Sequence, residues 1–256
     1  MNAESSTYAN TLAPEESPKF ETSLYHSWQD EHLSFLEGPH LYLWKGSVVR
    51  LSATGIIKKY FPGFDGVAIV QRNWTAWKAN KNSKYSALIR YLMQVQEVDE
   101  TVAQTALLAL WDSDKNIAAA EGTAMHNQFE CILRGQPVLQ PMPECTQFRT
   151  WLDRFLEQGG WEVFEPEYKV VKLAENQFRT PVWAGAIDLV LRHRKTPGVY
   201  CIIDYKHTDP KDGYKLIGKQ APSRFSEGFG TGPFSEIPNS DTGKYNTQLN
   251  IYAKTL

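Results

Sequence analysis

The sequence predicts an α/β protein, with an N-terminal hairpin and helical region leading into a core of helix, three strands and helix. Two observations predict it. Apolar residues recur at a helical period through residues 113–158, change to strand character from Trp161 to Lys206, and return to a helical pattern over Lys244–Leu256. Nearer the start, His40–Trp44 and Val48–Leu51 alternate around Lys45-Gly46-Ser47, as the arms of a hairpin do around its turn. The composition can supply such a core, since 42% of the 256 residues are hydrophobic, 12% are aromatic and 8 are Trp.

Taken in order, residues 1–22 set Lys19 against Glu4, Glu15, Glu16 and Glu21 among small polar residues and Pro, a net charge of −3. This reads as a disordered acidic tail, extended here to residue 38. It has neither the apolar stretch of a signal peptide nor the arginines of a transit peptide, so an intracellular location is expected. Ser52 is placed to cap a short helix over Ala53–Phe61, stopped by Pro62 and Gly63. Residues 66–112 read as two or three helices, with loops near Asn80–Ser83 and Gln96–Asp99. Thr101–Trp111 is apolar on several sides, as a buried helix is. A longer helix over Ser113–Arg134 stops at Gly135. It gathers Met125, Phe129, Ile132 and Leu133 on one face, with Gly122, His126 and Glu130 on the neighbouring stripe. A helix over Glu144–Gln158 ends at Gly159-Gly160. Strands follow over Trp161–Val171, Pro181–Arg192 and Gly198–Lys206, the last reading as a fully buried central strand. A long loop over 207–243 precedes the final helix. Three regions result: a tail (1–38), a hairpin and helical region packed on the core (39–112), and the core itself (113–256).

Asp188 and Asp204 each close an apolar run. A carboxylate in that position is costly unless it is paired or holds a metal. Alone, an Asp at a strand end is most often a cap or a salt-bridge partner, and Asp-x-Lys on one strand face is usually an ion pair. The joint pattern points further. If the second and third strands are neighbours, Asp188 and Asp204 converge at one end of the sheet, with Lys206 on the face of Asp204. Two hard oxygen ligands suit Mg²⁺ or Mn²⁺. Lys206 is then placed to orient a water or to balance charge on a phosphate.

Four segments, in order, resemble the PD-(D/E)XK nuclease superfamily and, within it, the RecB-type exonuclease group. GTAMHNQFE (122–130) is similar to the family's Gly-Thr…His…Glu helix, and GAIDLV (185–190) to its Gly-x-x-Asp strand. IIDYKH (202–207) is similar to the Asp-x-Lys strand, and QLNIY (248–252) to the Gln-x-x-x-Tyr helix. LSATGIIKKYFP (51–62) resembles the Ser-rich helix start near the N-terminus of such proteins. The resemblance covers residues 51–256. It implies a restriction-endonuclease-like core around a mixed sheet, ending one or two elements short at Leu256. It implies a metal-dependent DNA nuclease, of exonuclease type, in which His126, Asp188, Asp204 and the carbonyl of Tyr205 hold Mg²⁺ or Mn²⁺. Lys206 would be the catalytic lysine beside Asp188 and Asp204, with Glu167 as a further acidic group. Gln248 and Tyr252 would lie on the face that contacts DNA or the catalytic strand.

Other residues carry two readings. Glu130 either steadies His126, as carboxylates behind metal ligands do, or pairs with a cation. Lys211 and Lys215 make the long loop basic and suited to contacting DNA. Trp74, Trp77, Lys78, Lys81 and Lys84 interleave rings and cations, a pattern that serves either core packing or the stacking of single strands. No cysteine follows Cys201, so the four-cysteine iron–sulfur cluster of some relatives is not expected. The net charge of −2 excludes a histone-like binder but not a nucleic-acid enzyme whose acidic residues offset its basic ones. No apolar run is long enough to span a membrane. Besides a DNA nuclease, two readings share these residues: an inactive, nuclease-derived binding or scaffold module, and a nuclease acting on RNA.

Overall fold

Lys45 and Gly46 both take positive φ, at 49° and 77°, and so close a two-residue turn between antiparallel strands. This hairpin opens the computed structural model, which describes residues 32–175, 177–207 and 228–256. Lys211 and Lys215 lie outside the described residues. The hairpin strands β2 (Leu41–Trp44) and β3 (Ser47–Val49) are joined by β1 (Leu33–Leu36), which pairs with β2. Strand β1 falls inside the stretch assigned to the tail. Leu33 draws it into structure, being buried with Tyr42, Trp44, Val49, Val171 and Ala184.

Ser52 caps α1 (Ala53–Tyr60) as expected, its Oγ accepting from the N–H of Gly55 at 2.9 Å. Helices α2 (Gly66–Ala79) and α3 (Ser86–Arg90) follow, the latter running on into a single π turn over Tyr91–Val95. They pack with the start of α4 around Val70, Trp74, Ile89, Ala103 and Leu107. Trp74 is buried there, and Trp77 rests against Tyr85 and Trp111. The interleaved tryptophans therefore serve packing.

Helix α4 runs unbroken over Glu100–Leu133, 34 residues, from an Asp99 cap. Two helices were expected here, with a regional boundary at 112/113. The stretch Asp112–Glu121 is exposed but contains neither Gly nor Pro, so nothing stops the helix. At about 1.5 Å per residue it spans about 50 Å. Its second half meets α5 (Pro143–Gly159) in the main core, with Met125, Phe129 and Leu133 against Phe148, Leu152, Leu189 and Leu191.

The main sheet runs β4 (Trp161–Leu173), β5 (Pro181–His193) and β6 (Tyr200–Ile203), in that order. Two expectations are corrected. The central strand is β5, not the 198–206 run: among the described residues β6 is a four-residue strand at the edge, half-buried or exposed, with β5 as its one partner. The sheet is also antiparallel throughout the described residues rather than mixed. The parallel element is a single bridge from Ser52 to Ala184, where the Ala184 N–H donates to the Leu51 carbonyl at 3.0 Å. A second core cluster joins the sheet to α1 and to α6 (Asp241–Ala253), through Ala53, Val170, Trp183, Ile187, Val190 and Tyr252. Gly185 makes this contact possible. A Cβ there would lie 2.9 Å from the Tyr252 ring and 3.3 Å from Ala53 Cβ. Among the described residues no helix is long and apolar enough to cross a membrane.

Candidate metal centre

Strand register builds the site. Tyr168 pairs with Ile187 and Pro166 with Leu189, which sets Glu167 across from Asp188. Leu189 pairs with Ile203, which sets Asp188 across from Asp204 just beyond β6. Glu167 on β4, Asp188 on β5 and Asp204 just past the end of β6 thus form a row across the sheet. Glu167 sits at a φ of 51°, directly after Pro166. A non-Gly residue held there costs on the order of 1 kcal/mol, the kind of strain that proteins retain at functional positions.

Helix α4 brings His126 over this row. Its Nδ1 lies 3.6 Å from Asp188 Oδ2, and its Nε2 lies 3.2 Å from the Tyr205 carbonyl oxygen. The Tyr205 N–H donates to Asp188 Oδ2. One ligand atom each from His126, Glu167 and Asp188 falls within 4.8 Å of the others.

The electrostatics of this group ask for positive charge. Burial, together with the negative charge of Asp188 and Glu130, pushes the Glu167 carboxyl up to about 7. Burial also pushes Asp188 up, with Asp204 adding to it, while His126 and the Tyr205 N–H pull the other way. No Lys or Arg pairs with Glu167 or Asp188 among the described residues. Two half-buried carboxyls with no Lys or Arg in direct contact, one imidazole and a nearby carbonyl are a donor set that a hard or borderline divalent cation accepts. His126, Glu167 and Asp188 are thus placed so that they could hold a cation, a set that differs from the expected one.

The change concerns Asp204. It was expected among the ligands, but it stands beside the group. Its Oδ2 is paired with Lys206 Nζ, and its Oδ1 accepts from Gln248 Nε2 at 3.4 Å. Strand β6 stops at Ile203, so Asp204 is past the ladder and is engaged by α6. Glu167, expected as a further acidic group, stands in the ligand cluster instead. Lys206 is held from a second side, its Nζ lying 5.1 Å from the Tyr245 ring centre. Gln248 also bonds the Tyr252 hydroxyl at 3.3 Å. Tyr252 is 3% exposed and packs inward, while the half-buried Gln248 reaches the Asp-x-Lys segment.

Glu130 takes the second of its two readings. It pairs with Arg134 at 2.8 Å, and Arg134 reaches Glu165 at 3.4 Å and the Pro166 carbonyl at 3.3 Å. This chain of contacts fastens α4 to the part of β4 that carries Glu167.

Tyr42 and Tyr245 were missed by sequence reasoning. Tyr42 is buried beside Glu167 and Asp188, and their charges add to the burial that raises its hydroxyl to about 12. Alternation placed His40, Tyr42 and Trp44 on one strand face, but nothing local says which face meets the carboxylates. Tyr245 lies one turn before Gln248 and carried no signal of its own. Comparison with protein-family models, curated proteins and solved structures returned no match for this chain.

Proposed function

We propose that this chain is a metal-dependent DNA nuclease with a restriction-endonuclease-like core of the PD-(D/E)XK kind, acting on phosphodiester bonds from a chain end. The observation that carries the reading is the row of Glu167, Asp188 and Asp204 across three adjacent strands, with His126 above it and Lys206 at its end. His126, Glu167, Asp188 and the Tyr205 carbonyl would hold Mg²⁺ or Mn²⁺. Such a cation, when bound, polarises a phosphate and makes water a better nucleophile near neutral pH. The rest falls to the chain. Lys206 places a positive charge beside the phosphate and orients the attacking water. Asp204 and the Tyr245 ring fix where that charge stands, and Gln248 fixes Asp204. Tyr42 closes the buried side of the carboxylate row.

The test is hydrolysis of end-labelled single- and double-stranded DNA, circular DNA and RNA, with Mg²⁺, Mn²⁺ or EDTA. Cation-dependent cleavage of linear DNA is expected, with circular DNA spared. Asp188→Asn and Lys206→Ala should each slow it by roughly 100-fold or more. Cleavage unchanged by EDTA, or by both substitutions, refutes the reading.

A further inference from the structure

Glu167 takes a φ of 51° inside β4, yet the pairing of β4 with β5 does not ask for it. Pro166 pairs with Leu189 and Tyr168 with Ile187, so the register runs through Glu167 without a shift. A bulge, a common reason for a left-handed residue within a strand, does not account for this one. Glu167 carries a Cβ and so bears a cost that glycine would not. A residue stays in such a conformation only where its surroundings hold it there.

The hold comes from α4. Leu133 is buried, and Gly135 takes a φ of 66°, so the helix ends there and the place of Arg134 between them is fixed. His126, Glu130 and Arg134 follow at four-residue spacing, on one stripe of the helix. Glu130 steadies the guanidinium, its Oε1 accepting from Arg134 Nε at 2.8 Å. The outer nitrogens reach β4: Nη1 and Nη2 lie 3.4 and 3.5 Å from Glu165 Oε1. Nη2 also donates to the Pro166 carbonyl at 3.3 Å. That carbonyl belongs to the peptide bond before Glu167, and φ of Glu167 is the rotation between that peptide plane and the rest of the residue. The rigid fork of arginine can grip a carboxylate and this carbonyl together, which a single ammonium does poorly. One stripe of α4 thus carries His126 and grips the backbone before Glu167.

We propose that Arg134 is a positioning residue of the metal centre: through the Pro166 carbonyl it holds Glu167 left-handed, and so keeps the Glu167 carboxylate beside His126 and Asp188. The inference rests on the metal reading of that cluster. Charge alone predicts the opposite outcome, since removing a cation near the cluster would by itself favour the binding of another.

The test is Mn²⁺ binding to the full chain by calorimetry, without DNA. Arg134→Met should weaken binding roughly 10-fold, as loss of a group behind a metal ligand does. On a Glu167→Gln background the same substitution should cost little more. Binding that Arg134→Met leaves unchanged or tightens overturns the proposal, and so does an equal loss in both backgrounds. A second measurement needs no metal: urea titration of Glu167→Gly in EDTA. Glycine takes the left-handed backbone without strain, so the substitution should favour folding more in the parent than in Arg134→Met, by roughly 5-fold in the folding constant. Equal effects in the two backgrounds overturn the proposal as well. A chain that binds no Mn²⁺ but shows that difference retains Arg134 as the holder of Glu167 and loses the metal reading. A chain that binds Mn²⁺ and shows no such difference loses the role of Arg134 alone.

Discussion

Raising the pH should destabilise the metal-free chain, and a divalent cation should reverse the effect. Glu167 is the reason. Its carboxyl rises from an ordinary 4.5 to about 7 in the folded protein, so the folded state holds this proton more tightly than the unfolded chain does. The resulting stability is fully present below pH 4.5 and is lost as pH climbs through 7. At 1.36 kcal/mol per pKa unit the ceiling is about 3 kcal/mol. The group is still partly open to water, which brings the expected effect to about 2 kcal/mol. Asp188 is pushed in the same direction by burial and adds to it. For a chain of this size, about 2 kcal/mol lowers Tm by roughly 4–8 °C. The assay is thermal or urea unfolding in EDTA at pH 5 and pH 8, repeated at pH 8 with Mn²⁺. Glu167→Gln should flatten the pH dependence and blunt the response to Mn²⁺. A parent and a Glu167→Gln variant with the same pH dependence would refute the electrostatic account of the site.

Three further outcomes are expected. Gly185→Ala sets a methyl 2.9 Å from the rigid Tyr252 ring; it should destabilise by about 1–3 kcal/mol in urea titration, and cleavage should fall with it as α6 is pushed off Asp204. Gly122→Ala meets only His207 Cβ, at 3.8 Å, so it should stabilise α4 by about 0.5–1 kcal/mol; a drop in cleavage despite that gain would mean that the substrate uses the space over Gly122. Gln248→Leu removes the support of Asp204 at 3.4 Å and should lower kcat roughly 10-fold with KM little changed, read from steady-state cleavage.

Local chemistry was the legible part of this sequence. Ser52 before an apolar run, Lys45-Gly46 between alternating runs and Gly135 after a helical stripe each state their structure within a few residues. The helix period put His126 beside the apolar face and the strand pattern put Asp188 at the end of an apolar run, but their joint role came from the resemblance of four segments and not from either period. What could not be read depends on neighbours in space. Nothing in the 198–206 run distinguishes a central strand from an edge strand, because that depends on how many partners lie beside it. The exchange of Asp204 for Glu167 turns on where β6 stops and on Gln248 reaching across from α6. Glu167 also adopts a left-handed backbone that no pattern of hydrophobicity announces. Tyr42 belongs to the site only because the first sheet packs on the second.

The single helix α4 has a consequence for how this chain can vary. One end is locked among Trp74 and Ile89 and the other among Phe148 and Leu189, while the middle touches little. That middle is therefore free in composition and fixed in length. Each residue of an α-helix turns the next by about 100°. One residue inserted between Asp112 and Glu121 would swing His126 about a quarter-turn away from Asp188, or else tear one of the two cores from its helix. The exposed stretch that looks most like a place to cut acts as a phase keeper, holding the imidazole at its bearing from a packing site some tens of ångströms away.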